Sequence, residues 1–268
     1  MRKTISCGLH PIIGAPPAPP LTHVKLAGYP GAKNREASSP RDSPVGMIFA
    51  DRLDAGRRLA DALSRYHGQR PLVVAIPRGA VPMAAVIGER LDGDLDVVLT
   101  RKLRAPWQPE LAVGAIDESG WTYVADFARQ AGADAAYLER EKAAQMATIR
   151  ERRASYTPGR GSLDPRGRVV IVVDDGLATG ATMIAALHAL RGQSPRRLVC
   201  AVPVASQEAL AKVRQYADEV VCLDAPAMFG AVGACYRDFR QVDDGQVIAA
   251  LAAADAARAR RARPTDVA

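Results

Sequence analysis

The chain has 268 residues, of which 48% are hydrophobic and 24% charged, and its net charge is +7. This length can bury one large core but is short for two full domains. Residues 1–46 carry a net +4 and residues 255–268 a net +2, which leaves +1 for residues 47–254, so the charge does not support a nucleic-acid-binding core.

The first 46 residues differ in composition from the rest of the chain. They hold eight of the nineteen prolines, in clusters such as APPAPP, without helical or strand periodicity. Such a segment cannot bury enough apolar surface to offset the entropy of ordering, so we expect disorder over 1–46. Met47 opens the first periodic stretch, and the preceding residues are either an upstream extension or the result of a start codon assigned too early.

From Met47 the chain alternates helices and strands. The spacing of leucines predicts an amphipathic helix over 50–66, and PLVVAIP predicts a buried strand over 71–77. A helix over 79–91 and a strand over 95–102 follow. The apolar runs of the strands lack alternation, which is typical of parallel sheets covered on both faces.

The alternation of helices and strands is interrupted in the middle of the chain. RKLRAPWQPE, residues 101–110, is predicted as a charged, proline-containing loop, and residues 111–126 as two strands around a turn at 118–120. Alternation then resumes with a helix over 134–156, a strand over 167–175, a helix over 180–192, a strand over 197–204, a helix over 206–216, a strand over 219–223 and a final helix from Asp243. We predict an α/β fold in which helices flank a parallel central sheet, forming one domain over 47–254, with a basic tail over 255–268.

The stretch VVIVVDDGLATGATM, residues 169–183, combines a buried strand, two acids and a helix start. Ligands of open α/β sheets bind at the carboxyl ends of the strands, where Asp174 and Asp175 lie. Ionised carboxylates accept hydrogen bonds from vicinal hydroxyls or hold a hard cation through water. The N–H groups of the helix start attract an anion. The stretch therefore suits a sugar phosphate.

Residues Val170–Thr182 resemble the phosphoribosyl pyrophosphate signature of the type I phosphoribosyltransferases, and the similarity extends over about Phe49–Val247. The resemblance implies a fold with a flexible loop and hairpin and a small hood. It implies that Asp174 and Asp175 bind the ribose 2- and 3-hydroxyls. It places the 5-phosphate on Ala178, Thr179, Gly180, Ala181 and Thr182.

AIPRGAVP occupies the place of the pyrophosphate loop in that family. Arg78 can grip pyrophosphate oxygens in a bidentate manner, and Gly79 permits close approach of the backbone. Members of the family often carry a cis peptide bond in this loop, which here would join Pro77 and Arg78. We expect Pro77, Arg78 and Gly79 to bind pyrophosphate, with Arg78 also serving catalysis.

Two further segments take roles from the resemblance. The basic loop that contains Arg101, Lys102 and Arg104 corresponds to a mobile loop that closes over the pyrophosphate and excludes water, and Lys102 is the predicted catalytic cation. LDAPAMFGAVGACYRDF, residues 223–239, resembles the base-stacking hood of purine enzymes, and the predicted hood spans about 224–242. Phe229 is the residue predicted to stack on the base. The alternative, given equal weight, is that the aromatic residues of this segment pack the hood onto the core.

The implied reaction displaces pyrophosphate from C1 of the ribose, with Mg²⁺ on the leaving group. Asp174 and Asp175 would contact the metal through water. In hypoxanthine-type enzymes an aspartate precedes the T-G and handles the purine proton, whereas this chain has Ala178. A methyl group is no general base, so a pyrimidine or a non-nucleobase acceptor stays open. The alternative is a non-catalytic regulatory protein that senses phosphoribosyl pyrophosphate or a nucleotide.

The expected surroundings are the cytoplasm. The four cysteines show no CxxC spacing, which favours reduced thiols, and no apolar run reaches the roughly 18 residues of a membrane span. The N-terminus lacks the continuous apolar run of a signal peptide. We expect phosphoribosyl pyrophosphate and a small-molecule acceptor as partners, no nucleic acid and no membrane, and a homodimer, as is common in the resembled family.

Overall fold

The structure, a computed structural model, describes residues 25–26 and 47–262. The strands within these ranges are β1 (Lys25–Leu26), β2 (Leu72–Ala75), β3 (Asp94–Val97), β4 (Thr100–Arg104), β5 (Ala112–Asp117), β6 (Thr122–Val124), β7 (Val169–Val173), β8 (Arg197–Val204) and β9 (Glu219–Asp224). Six of them form a parallel sheet in the order β1-β9-β8-β7-β2-β3, and three form an antiparallel sheet in the order β4-β5-β6. The helices are α1 (Arg52–Ala62), α2 (Val81–Arg90), α3 (Ala135–Tyr156), α4 (Ala181–Arg191), α5 (Gln207–Val213) and α6 (Asp244–Ala262). The predicted α/β class, with helices flanking a parallel sheet, is confirmed.

The central strand β7 explains why the sheet is buried on both faces. All five of its residues are buried. Val169, Ile171 and Val173 belong to the core cluster that includes α1 and α2, while Val170 and Val172 belong to the cluster of α4 and α5. A strand covered on both sides has no polar face, so its sequence lacks the alternation of a half-exposed strand.

The structure corrects the prediction of one strand over 95–102. β3 ends at Val97 and pairs with β2 in the parallel sheet, whereas β4 begins at Thr100 and pairs antiparallel with β5. The chain thus changes sheets at Val98 and Leu99, both of which are buried. Because the connection is as buried as the strands, the hydrophobicity of the sequence does not show where β3 ends and β4 begins.

The two ends of the predicted domain contain more regular structure than the sequence predicts. Residues 25–26, inside the segment predicted to be disordered, pair with β9, and the rest of 1–46 lies outside the described residues. Residues 255–262, assigned to a basic tail, continue α6, where Arg261 donates to Asp94 at 2.8 Å. No helix in the described ranges is both long and apolar enough to cross a membrane.

Candidate functional site

The predicted site lies where β2 and β7 end. These neighbouring parallel strands pair Ala75 with Val173, and the Ile76 N–H donates to the Val173 carbonyl at 2.9 Å. The two strands therefore end at the same edge of the sheet, which places the loop after β2 beside the two acids after β7. A cavity of about 550 Å³ opens there. Its walls include Pro77, Arg78, Gly79, Lys102, Asp174, Asp175, Ala178, Thr179, Gly180, Ala181 and Thr182.

The two acids each use one carboxylate oxygen within the protein. The Asp175 N–H donates to Asp174 Oδ1 at 2.9 Å, and Arg52 donates from Nε and Nη2 to Asp175 Oδ2 at 3.0 and 2.8 Å. Within residues 25–26 and 47–262 the other oxygen of each carboxylate accepts no hydrogen bond. Two acceptors are thus available on adjacent side chains, which matches the demand of two neighbouring hydroxyl donors.

The acid pair is electrostatically unfavourable without a ligand. Burial raises the pKa of Asp174 well above its usual value, and the charge of Asp175 raises it further, against the opposing charges of Lys102 and Arg52. Burial also raises the pKa of Asp175, against the hydrogen bonds and charge of Arg52. A ligand that donates hydrogen bonds to the ionised pair would relieve this cost.

Asp174→Asn is expected to stabilise the protein at neutral pH. Because the folded pKa of Asp174 is raised, its contribution to stability is largest at low pH and is lost as the pH rises toward that pKa. Removing the charge should raise Tm at pH 7 by a few degrees, which is the scale of about 1 kcal/mol in a domain of this size. The gain should shrink as the pH is lowered toward the usual pKa of an aspartate.

Thermal denaturation over a pH series measures this effect, with the exposed Asp126→Asn as the matched control. Equal Tm values for Asp174→Asn and the unmodified protein at every pH would show that the pair carries no electrostatic cost.

The loop after the acids presents a helix start to the cavity. Gly180 has φ of +79° and precedes α4, and no side chain among the described residues caps this helix. The Leu177 N–H donates to the Val204 carbonyl at 3.0 Å, and the Ser206 hydroxyl donates to the Ala178 carbonyl at 2.9 Å. The loop is thus held to the β8–α5 connection, and uncapped N–H groups at a fixed helix start form an anion site.

The loop after β2 approaches the acids closely. The peptide bond between Pro77 and Arg78 is cis, as the resemblance led us to expect. A Cβ placed on Gly79 would lie 2.1 Å from Asp175 Oδ2, so a larger residue would displace the carboxylate. The Arg78 guanidinium lies 3.8 Å from the nearest oxygen of Asp244 and is partly exposed. That distance exceeds a hydrogen bond, which leaves its N–H groups available to an anion.

A cationic wall faces this loop. The structure corrects the assignment of Arg101, Lys102 and Arg104 to a loop, because they lie on β4, whose pairing with β5 fixes them, and the connecting loop covers only 105–111. Arg152 of α3 joins them in the wall. Burial and the charges of Arg152 and Arg104 lower the pKa of Arg101. Such crowding of like charges favours an anionic ligand.

The hood contributes Phe239 to the cavity wall. Val232, Phe239, Gln241 and Val242 line the cavity. Phe229 is outside this wall, and its half-buried ring packs against the hydrophobic core, which is the alternative that the sequence left open; its role as the stacking face stays a prediction. The Arg52 guanidinium lies 3.8 Å from the centre of the Phe239 ring.

Sequence reasoning missed Arg52, Arg152 and Phe239 as cavity residues. Arg52 is 123 positions from Asp175 along the chain. Arg52 and Arg152 each lie in helices with several other arginines, so no motif marks them as different from surface charges. These residues can be identified as part of the cavity only from the tertiary structure.

The chain matches a known family, curated relatives and a solved structure. The phosphoribosyl transferase domain family matches residues 45–240. Two curated relatives from Mycobacterium tuberculosis, of strains CDC 1551 and H37Rv and both provisionally named phosphoribosyl transferases, are 42% identical over 205 residues, which is 76% of this chain and 46% of each relative. The chain therefore spans about half the length of the curated relatives it matches.

Among solved structures, the crystal structure of TT1426 from Thermus thermophilus is similar to this chain. The sequences are 47% identical, and the TM-score is 0.66. The match covers 76% of this chain and 98% of that one.

Proposed function

The chain belongs to the phosphoribosyl transferase family, and from this premise we propose that it binds phosphoribosyl pyrophosphate and transfers the phosphoribosyl group to a small acceptor. The observation that carries the proposal is the pair of free carboxylate oxygens on Asp174 and Asp175. They lie between an uncapped helix start and a glycine-containing basic loop in one cavity. The cavity thus offers separate groups for the ribose hydroxyls, the 5-phosphate and the pyrophosphate of the ligand.

Each part of the ligand is assigned by its chemistry. The ribose 2- and 3-hydroxyls donate to the acids, and the 5-phosphate accepts from the N–H groups of residues 178–182. The pyrophosphate lies against Arg78, Gly79 and Lys102, where guanidinium and ammonium groups donate charge-assisted hydrogen bonds. The cavity of about 550 Å³ is within the usual size of small-molecule sites.

In the proposed reaction the acceptor atom forms a bond to C1 of the ribose as the bond from C1 to the pyrophosphate oxygen breaks. The pyrophosphate leaves with the bonding electrons, and positive charge develops at C1 in the transition state. Arg78 and Lys102 stabilise the growing negative charge of the leaving group. The carboxylates hold the sugar in place and favour the developing positive charge.

The donor set fits magnesium that arrives with the substrate. No group of three or more His, Cys, Asp or Glu side chains in the described part of the chain could hold a metal by itself. Asp174 and Asp175 would hold the ion through water. Bound magnesium would supply charge neutralisation on the pyrophosphate.

The charges of the cavity wall restrict the chemistry of the acceptor. The titratable side chains of the cavity wall, within the described ranges, are six cations, Arg52, Arg78, Arg101, Lys102, Arg104 and Arg152, and the two acids. Ala178 occupies the place where a proton acceptor for a 6-oxopurine would be expected. We therefore propose an acceptor that reaches the site already ionised or reacts without losing a proton.

Lys102→Gln is expected to lower kcat/KM for pyrophosphate release about tenfold to 100-fold. Lys102 lines the cavity, and its positive charge lowers the pKa of Asp174. The variant would lose a charge-assisted hydrogen bond to the pyrophosphate, which is worth about 1.5–3 kcal/mol. Release is measured with magnesium and phosphoribosyl pyrophosphate across a panel of nucleobases and other acceptors. The matched control is Lys212→Gln on the exposed face of α5.

The same assay separates the two candidate functions. Release that depends on an acceptor supports the transferase. Tight binding of phosphoribosyl pyrophosphate without turnover supports the regulatory alternative, and absence of binding contradicts both.

Two expectations about the intact protein remain proposals. We expect a homodimer, which sedimentation velocity would detect as a species of twice the chain mass. We also expect the protein in the cytoplasm, which cell fractionation would test.

A further inference from the structure

The Arg52 guanidinium connects three parts of the site. Its Nε and Nη2 donate to Asp175 Oδ2, its Nη1 donates to the Arg240 carbonyl at 2.7 Å, and its plane lies 3.8 Å from the centre of the Phe239 ring. The side chain is 11% exposed. One rigid cation thus contacts a ribose-binding acid and the hood together.

These contacts restrain both sides. The two bonds hold Oδ2, while the other oxygen of Asp175 accepts no hydrogen bond from the part of the chain that the structure describes. On the hood side, Tyr236 packs on Phe239 with ring centres 4.9 Å apart, and its hydroxyl donates to the Asp175 main-chain carbonyl at 2.6 Å. Arg52 and Tyr236 therefore both tie the segment 236–240 to Asp175.

We infer that Arg52 is a positioning residue that couples the orientation of Asp175 to the hood, so that the sugar subsite and the hood side of the cavity are formed together. The planar fork of an arginine can contact a carboxylate, a carbonyl and an aromatic face at once, whereas a lysine ammonium is a single point of charge. The effect of Arg52 on ligand binding rests on the proposed function, whereas its contact with the hood does not.

The test compares Arg52→Gln and Arg52→Lys with Arg57→Gln, an exposed arginine on the same helix. Arg52→Gln should weaken binding of phosphoribosyl pyrophosphate about tenfold to 100-fold. Arg52→Lys, which keeps the charge but not the planar fork, should recover only part of that affinity. In ligand-free protein, both Arg52 variants should increase amide hydrogen exchange over residues 236–240, whereas Arg57→Gln should not.

Two outcomes would overturn the inference. One is a folded Arg52→Gln protein with unchanged affinity, and the other is unchanged exchange over 236–240 in both Arg52 variants. If the unmodified protein does not bind phosphoribosyl pyrophosphate, the proposed function fails. The exchange comparison needs no ligand and still decides whether Arg52 holds the hood.

Discussion

Gly79→Ala is expected to reduce affinity for phosphoribosyl pyrophosphate by up to about 100-fold. The added Cβ would lie 2.1 Å from Asp175 Oδ2 and 3.2 Å from Arg52 Nε. The carboxylate would have to move away from Arg52, which would misplace the acceptor for the ribose. Loss of the hydrogen bond between the ribose and this charged carboxylate, worth about 1.5–3 kcal/mol, accounts for this magnitude. Isothermal titration calorimetry with magnesium measures the affinity.

Gly161→Ala is the matched control for this substitution. A Cβ on Gly161 meets no atom within 4 Å, so the control changes the same residue type without a clash. Affinity in Gly79→Ala equal to that of the control would mean that the loop after β2 does not need to approach the acids.

The double variant Asp174→Asn with Asp175→Asn is expected to lower the same affinity at least about 100-fold, because two charged acceptors become neutral amides. The side chains keep their size, so the packing of the β7 edge should persist. Asp175→Asn also weakens the ion pair with Arg52, whose N–H groups lie 2.8 and 3.0 Å from Oδ2. Calorimetry gives the affinity, and far-UV circular dichroism verifies the fold.

Asp126→Asn is the control here, since Asp126 is exposed and lies outside the cavity wall. A double variant that is folded and binds as tightly as this control would remove the acids from the site.

Much of the fold could be predicted from the sequence because both faces of the sheet are covered. Buried parallel strands such as β7 and β8 read as unbroken apolar runs, and capping residues such as Ser206 mark helix starts, since its hydroxyl accepts from the Ala209 N–H at 3.0 Å. The change of sheet at Val98 and Leu99 could not be predicted, because a buried connection has the same hydrophobicity as a strand.

The candidate site divides in the same way. Asp174, Asp175 and the helix start lie in one continuous stretch, so their neighbourhood follows from local sequence. Arg52 approaches them only through the packing of α1, and Phe239 lines the cavity instead of Phe229 because the hood is irregular and its aromatic spacing follows no period. Residues that meet through tertiary packing leave no local pattern.

The most direct test of the central claim compares two ligands that differ by one hydroxyl. Ribose 5-phosphate and 2-deoxyribose 5-phosphate are titrated into the unmodified protein by calorimetry. If Asp174 and Asp175 hold the sugar diol while the start of α4 holds the phosphate, ribose 5-phosphate should bind about tenfold more tightly or better. Equal affinities for the two sugars would contradict the account.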